Sequence, residues 1–227
     1  MILFAGDCHG DFVPVIEEAG EASAVVLLGD QEPLSDLVAE LGPSLAEKTW
    51  WIYGNHDSDY LCFFERHEAM SDRNLHCRVV EINGVRVAGL GGVFRAKKFG
   101  VDQTTRLNEA DLDCPYTSRA AWVQQRRGGT FHPLDFTTIF PDDLKALLHL
   151  KGQVDVLVTH EAPESHPMGF PVLGDLARAM GVKLIIHGHH HERYSAILDG
   201  GIRVEGLGMA STAEGFFRLC QGLGERV

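Results

Sequence analysis

Asp7, His9, Asp30, Asn55, His160, His189 and His191 are spread over most of the sequence, yet each falls at or just beyond the end of a short apolar run. Asp7 and His9 stand two residues apart, as do His189 and His191, so in near-extended chain both members of each pair point the same way. Together the seven offer carboxylate oxygen, amide oxygen and imidazole nitrogen, with no thiolate. That donor mixture suits Mn²⁺, Fe or Zn²⁺ rather than a sulfur-rich structural zinc site.

The apolar runs that must position these residues cover 2–6, 25–29, 50–53, 154–159 and 184–187. Each stops abruptly at a polar or glycine-bearing turn. Continuous apolar runs of this length predict strands buried on both faces. Helix-like stretches at 12–19, 34–41 and 172–180 alternate with them, which argues for a layered α/β domain. In open α/β sheets, sites assemble at the carboxyl ends of strands, where these polar residues fall.

Hairpins are also legible. Residues 75–82 and 85–90 flank Asn83-Gly84, a dipeptide suited to a two-residue turn, and 194–198 and 202–205 flank Asp199-Gly200-Gly201. Strand direction is therefore mixed. The stretch 95–138 is the least regular, with Cys114-Pro115, Gly128-Gly129 and His132-Pro133 and one expected helix at 118–127. The expectation is one domain over 1–227 carrying a loop-rich insertion at 95–138, and so long an insertion is usually functional or mobile.

With 32 acidic against 20 basic residues the chain carries a formal charge of −12, which disfavours binding to long nucleic acid. A small phosphorylated substrate stays compatible, because bound cations reverse the charge locally. The five cysteines are odd in number and form no C-x-x-C pair, so the expected setting is a reducing cytoplasm. No basic leader opens the chain, and no apolar run approaches the ~20 residues that span a bilayer, so no membrane partner is expected.

Gly6-Asp7-x-His9-Gly10, Gly29-Asp30, Gly54-Asn55-His56-Asp57, Thr159-His160 and Gly188-His189-x-His191 occur in this order from residue 6 to residue 191. Singly these motifs are common; as an ordered set, each after an apolar run, they resemble the calcineurin-like metallophosphoesterases. The resemblance implies two mixed β-sheets packed face to face and flanked by helices, a four-layer sandwich. It implies two divalent metal ions, Mn²⁺ foremost, with Fe, Zn²⁺, Ni²⁺ and Co²⁺ as the other cations. Asp7, His9 and His191 would hold the first, Asn55, His160 and His189 the second, and Asp30 would bridge them. A hydroxide between metals roughly 3.5 Å apart would attack the phosphorus of a small phosphodiester or phosphomonoester. His56 would bind no metal; it would sit over the phosphate and protonate the leaving group. The run Gly29-Asp30-Gln31-Glu32-Pro33 lacks the further Asp and Arg that many relatives carry. That departure moves the chain away from protein phosphatases and leaves His56 without its expected partner, with Glu32 as a candidate substitute.

Other readings remain beside this one: a non-catalytic scaffold on the same fold, a nuclease, and an enzyme for phospholipid-derived esters. Asp57 is expected to cap a helix at 58–66. Cys8 is expected to be a small spacer and Arg126-Arg127 the last turn of a helix. Arg95, Lys97 and Lys98 are candidates for contacting substrate. His67, His76, His132, His149 and His166 are expected in surface or loop positions, His187 in the core, and His190 turned away from its ligand neighbours.

Overall fold

The computed structural model describes residues 1–95, 101–108 and 116–220. Among them the strands are β1 (Ile2–Ala5), β2 (Ala24–Leu27), β3 (Thr49–Trp51), β4 (Val79–Ile82), β5 (Val85–Leu90), β6 (Val156–Thr159), β7 (Leu184–His187), β8 (Tyr194–Leu198), β9 (Ile202–Gly206) and β10 (Phe216–Leu219). The helices are α1 (Val13–Ala19), α2 (Leu37–Leu41), α3 (Pro43–Ala46), α4 (Leu61–Glu65), α5 (Arg119–Arg127), α6 (Pro133–Phe136), α7 (Pro141–Leu148) and α8 (Pro171–Met180).

One sheet runs β10-β1-β2-β3 and the other β4-β5-β6-β7-β9-β8. β1, β2 and β3 are parallel, with β10 antiparallel at the edge. β5, β6, β7 and β9 are parallel, with β4 and β8 added as the antiparallel arms of hairpins. The mixed sheets read from the sequence are therefore present.

Alternation along each strand sorts its side chains between two cores. Ile2 and Phe4 of β1 join Val156 and Val158 of β6 and Leu184 and Ile186 of β7 between the sheets. Leu3 and Ala5 face outward onto α1 and α2 through Val15, Ala19, Leu37 and Leu41. Leu157 and Ile185 face the other way, onto Leu144 and Leu147 of α7 and Leu173, Leu176 and Met180 of α8. The outcome is helices, sheet, sheet, helices. Both faces of the parallel strands are dry, which is why their sequence reads as an unbroken apolar run rather than an alternating one.

Register then brings the strand ends level. Ala5 pairs with Leu27 and Leu27 with Trp51 in one sheet; Leu90 pairs with Thr159 and Thr159 with His187 in the other. The loops leaving these strands open at one end of the sandwich, and the seven candidate residues lie on them.

Within the segment 95–138, residues 116–138 are more ordered than their composition suggested. α5 begins with the Ser118 hydroxyl accepting from the Ala121 N–H and ends at left-handed Gly128, and α6 follows within the same stretch. Lys97, Lys98 and the Cys114-Pro115 pair lie outside the described residues. No helix among the described residues is long and apolar enough to cross a membrane.

Candidate metal centre

The loops that carry the site clamp one another. Asp30 O accepts from the N–H groups of Cys8 and His9, and Gln31 O accepts from Gly10. Of the seven non-glycine residues with left-handed φ among those described, five are His9, Asp30, Glu32, His189 and His191. Strain of this kind persists only where surrounding contacts over-determine the backbone, and it concentrates at functional sites. Close approach does the rest. A Cβ on Gly29 would meet His160 Nδ1, and one on Gly54 would meet Asp30 Oδ1, so the glycines preceding Asp30 and Asn55 let two loops and a histidine ring share one space.

Asp57 supplies the anchor, and here the sequence expectation is corrected. It caps no helix: the chain makes a 3-10 turn at His56–Ser58, and α4 starts only after Tyr60. The fully buried Asp57 carboxylate instead accepts from the N–H groups of Asp30, Gln31, Glu32 and Gly54. Asp57→Ala would orphan four donors, and is expected to lower unfolding stability by about 3–5 kcal/mol. A urea unfolding midpoint within error of the wild type would contradict that role.

All seven candidate residues meet at this end of the sandwich. Asp7, His9 and His191 bring one donor atom each to within 4.8 Å of one another, and so do Asp30, His160 and His189. Asn55 Oδ1 lies 3.1 Å from His160 Nε2. The two groups adjoin: His160 Nδ1 is 3.8 Å from Asp7 Oδ1, and the His189 N–H donates to the Asp7 carboxylate at 3.0 Å.

Proton positions decide what these groups want. His160 Nδ1 lies 2.8 Å from the Leu28 carbonyl oxygen, so Nδ1 carries a proton, and in the neutral ring Nε2 presents its lone pair. That lone pair faces Asn55 Oδ1 and, at 3.3 Å, Asp30 Oδ2, which are also acceptors. His9 repeats the pattern. Its Nδ1 donates to Glu32 Oε2 at 2.9 Å, leaving Nε2 bare and 3.0 Å from His191 Nε2. Such converging ring nitrogens and carboxylates fit a cation between them, and a ring N–H held by a carboxylate or carbonyl is the usual support of a ligating histidine.

Titration points the same way. Burial opposes charge on His160, yet Asp30 and Asp7 carry its pKa up to about 10: the carboxylates favour positive charge beside them, either a second ring proton on Nε2 or a cation in that proton's place. Burial raises the Asp7 carboxyl, whereas Asp30, despite its burial, is held well below the ordinary range by His160 and the His56 amide. Burial and neighbouring rings press His189 down to about 3, which keeps its nitrogen lone pair free.

His56 stands at the mouth with 44% of its side chain exposed. Its partner is Asp59, with Nδ1 2.5 Å from Asp59 Oδ2; Glu32 Oε1 is 3.8 Å away and spends its other oxygen on His9. The candidate substitute Glu32 therefore supports His9, and the His56-x-x-Asp59 spacing, which puts both side chains on one side of a 3-10 turn, was the signal for the true partner.

Three further residues escaped the sequence. Buried Glu161 accepts from the Phe94 N–H at 3.1 Å and sets its other oxygen 3.7 Å from His189 Nε2; burial raises its pKa to about 7. His67, expected at the surface, is fully buried against Trp51 and Tyr53 and bonds Gln31 behind the Asp57 anchor. His166, also expected outside, is buried and stacks on His190 with centroids 3.9 Å apart. His132 and His149 are exposed, as expected. His187 lies in the core, where Tyr194 OH bonds its Nε2 at 2.7 Å.

His76, Cys77 and Asp143 also gather, but they do not suit a cation. The Gly91 N–H donates to His76 Nδ1, so the proton of the neutral ring sits on Nε2, which faces Asp143 at 3.4 Å. Arg119 completes that ion pair, 3.8 Å from the same carboxylate. Cys8 is buried with Sγ directed at the Gly6 carbonyl, and burial pushes its thiol well up, as befits a spacer. Arg126 and Arg127 close α5 against Tyr116 and Asp135.

The sequence profile of the calcineurin-like phosphoesterases matches residues 1–193. The chain belongs to that family. The matched span of this calcineurin-like phosphoesterase includes all seven candidate residues and His56. A Haemophilus influenzae protein described as uncharacterized is 41% identical over 222 residues, which is 94% of this chain and 93% of its own. Two solved structures share the fold. TT1561 of Thermus thermophilus has a TM-score of 0.57 at 19% identity, over 92% of this chain and 89% of that one. The phosphopantetheinyl hydrolase PptH of Mycobacterium tuberculosis has a TM-score of 0.54 at 14% identity, over 100% and 98%. Such identities speak to the fold alone. Phosphoester hydrolysis is the chemistry of the family, and His/Asp groups able to hold metal are present.

Proposed function

We propose that the chain hydrolyses small phosphoesters, diester or monoester, using two divalent cations. Asp7, His9 and His191 would hold one, Asn55, His160 and His189 the other, and Asp30 would serve both. The observation that carries this reading is the convergence of Asp7, His9 and His191, and of Asp30, His160 and His189, each set within 4.8 Å, with the Nδ1 groups of His9 and His160 held from behind so that Nε2 is the atom turned to the site. A donor set of oxygen and nitrogen without sulfur favours Mn²⁺, with Fe, Zn²⁺, Ni²⁺ and Co²⁺ also compatible. Free thiols at Cys8, Cys62, Cys77 and Cys220 fit a cytoplasmic setting.

When bound, the cations supply Lewis-acid polarisation of the phosphoryl group and a water of lowered pKa. The chain supplies the rest. Glu32 and the Leu28 carbonyl fix the tautomers of His9 and His160. His56, steadied on Nδ1 by Asp59, presents Nε2 at the mouth, where it donates a proton to the departing alkoxide.

Burial pulls the His56 pKa down, but the Asp59 hydrogen bond and the charges of Asp30, Asp59 and Glu32 outweigh it, so the net shift is upward. An acid works below its pKa, so this shift extends activity toward higher pH. Asp59→Asn is expected to move the alkaline limb of the kcat/KM profile to lower pH and to slow turnover about 10- to 100-fold. An unmoved limb would show that Asp59 does not govern His56. The function itself is tested by a panel of diesters and monoesters assayed across Mn²⁺, Fe²⁺, Zn²⁺ and Ni²⁺. Hydrolysis of none of them by any metal form would overturn it.

A further inference from the structure

Arg95 follows β5 and the Gly91-Gly92 turn. Its backbone neighbour Phe94 donates to Glu161, the residue after His160. Its Nη2 reaches Thr137 Oγ1 at 3.4 Å, and that hydroxyl lies 2.6 Å from Ser58 Oγ in the His56–Ser58 turn. The guanidinium is thus two side chains removed from the turn that carries His56. Burial works against its charge, while Asp59, Glu161 and Asp30 are all near enough to favour it.

What sets Arg95 apart is how little of it is used. A guanidinium offers five N–H donors in a rigid fork. Among the described residues its one hydrogen bond is long, no carboxylate pairs with it, and Nε is buried with no partner. A buried charged donor left unmatched is unfavourable, so it is expected where a ligand completes it. The missing partner must be an anion with oxygen acceptors that reaches in beside His56 and the acidic metal groups. A phosphoryl group is that anion, and a guanidinium N–H can meet its free oxygen.

We propose that Arg95 binds the terminal oxygen that a phosphomonoester has and a diester lacks, and so biases the site toward monoesters. The proposal rests on the phosphoesterase reading of the site. A diester has two non-bridging oxygens, which the cation pair would occupy. A monoester dianion has a third, with extra charge, and it needs a cation of the protein.

The test uses the full-length, Mn²⁺-loaded chain and calorimetric titration with inorganic phosphate and with dimethyl phosphate, alongside hydrolysis of p-nitrophenyl phosphate and bis(p-nitrophenyl) phosphate. Arg95→Ala is expected to weaken phosphate binding about 10- to 100-fold while changing dimethyl phosphate less than about threefold, with Arg95→Lys falling between. The kcat/KM for the monoester should fall by a like factor and that for the diester little. Equal losses for both ligands, no loss for phosphate, or a wild type that binds no phosphate would overturn the proposal. Selective loss of phosphate binding in a protein that hydrolyses nothing would uphold Arg95 and sink the hydrolytic function. A melting temperature of Arg95→Lys equal to that of the wild type separates binding from folding.

Discussion

Asp30→Asn is expected to leave a folded protein that retains fewer than two metals per chain and hydrolyses phosphoesters at least about 1,000-fold more slowly. Asp30 belongs to the group with His160 and His189, nearly fully buried, with Oδ1 taking the His56 amide at 2.8 Å and Oδ2 facing His160 Nε2 at 3.3 Å. Asparagine keeps the shape but removes the negative charge, and its NH₂ must face either the His56 N–H or the site reserved for a cation. Outer partners of metal ligands already change affinity about 10- to 100-fold, so a shared carboxylate must change it more. Metal analysis after gel filtration checks this directly. Two metals retained per chain would show that the carboxylate is not shared.

His56→Ala is expected to do the opposite: both metals stay and turnover drops about 10²- to 10⁴-fold, the range for a positioned proton donor. The expectation follows from the division of labour at His56. Its backbone N–H, which alanine keeps, orients Asp30; its side chain pairs with Asp59 and projects outward. The drop should be steeper for a poor alkoxide leaving group than for p-nitrophenolate, which needs little protonation. Loss of metal in His56→Ala, or an equal drop for both leaving groups, would contradict the assignment.

How much of this the sequence disclosed follows from which interactions are local. The parallel strands were legible because burial on both faces writes an unbroken apolar run, and Asn83-Gly84 marked the first hairpin by turn chemistry. Four elements were not seen. α3 and α6 span only four residues each, too short to show a period, and α7 is a short helix opened by Pro141 rather than by a Ser or Asp cap. β10 combines buried Phe216 and Leu219 with half-exposed Phe217 and exposed Arg218 because it closes an edge, so it lacks the run of its parallel neighbours.

The seven site residues were visible as a pattern of motif and strand end. Their supports were not, because those are long-range. Glu32 meets His9 across 23 positions, and the Leu28 carbonyl meets His160 across 132. Asp57 shows the limit of a local reading. Beside a helix-like stretch it resembles a cap, yet its four donors come mostly from a loop that ends 25 residues earlier. His67 was misplaced for the same reason: a lone histidine reads as surface until its partners, Gln31 and Trp51, are known.

The central claim is that two cations complete this site and that hydrolysis depends on both. Chelator-treated protein titrated with Mn²⁺, with p-nitrophenyl phosphate and bis(p-nitrophenyl) phosphate turnover followed at each step, puts that claim to the test. Activity toward at least one ester should rise with the second equivalent and level off at two per chain. Full activity at one equivalent, or none at any occupancy, would contradict it.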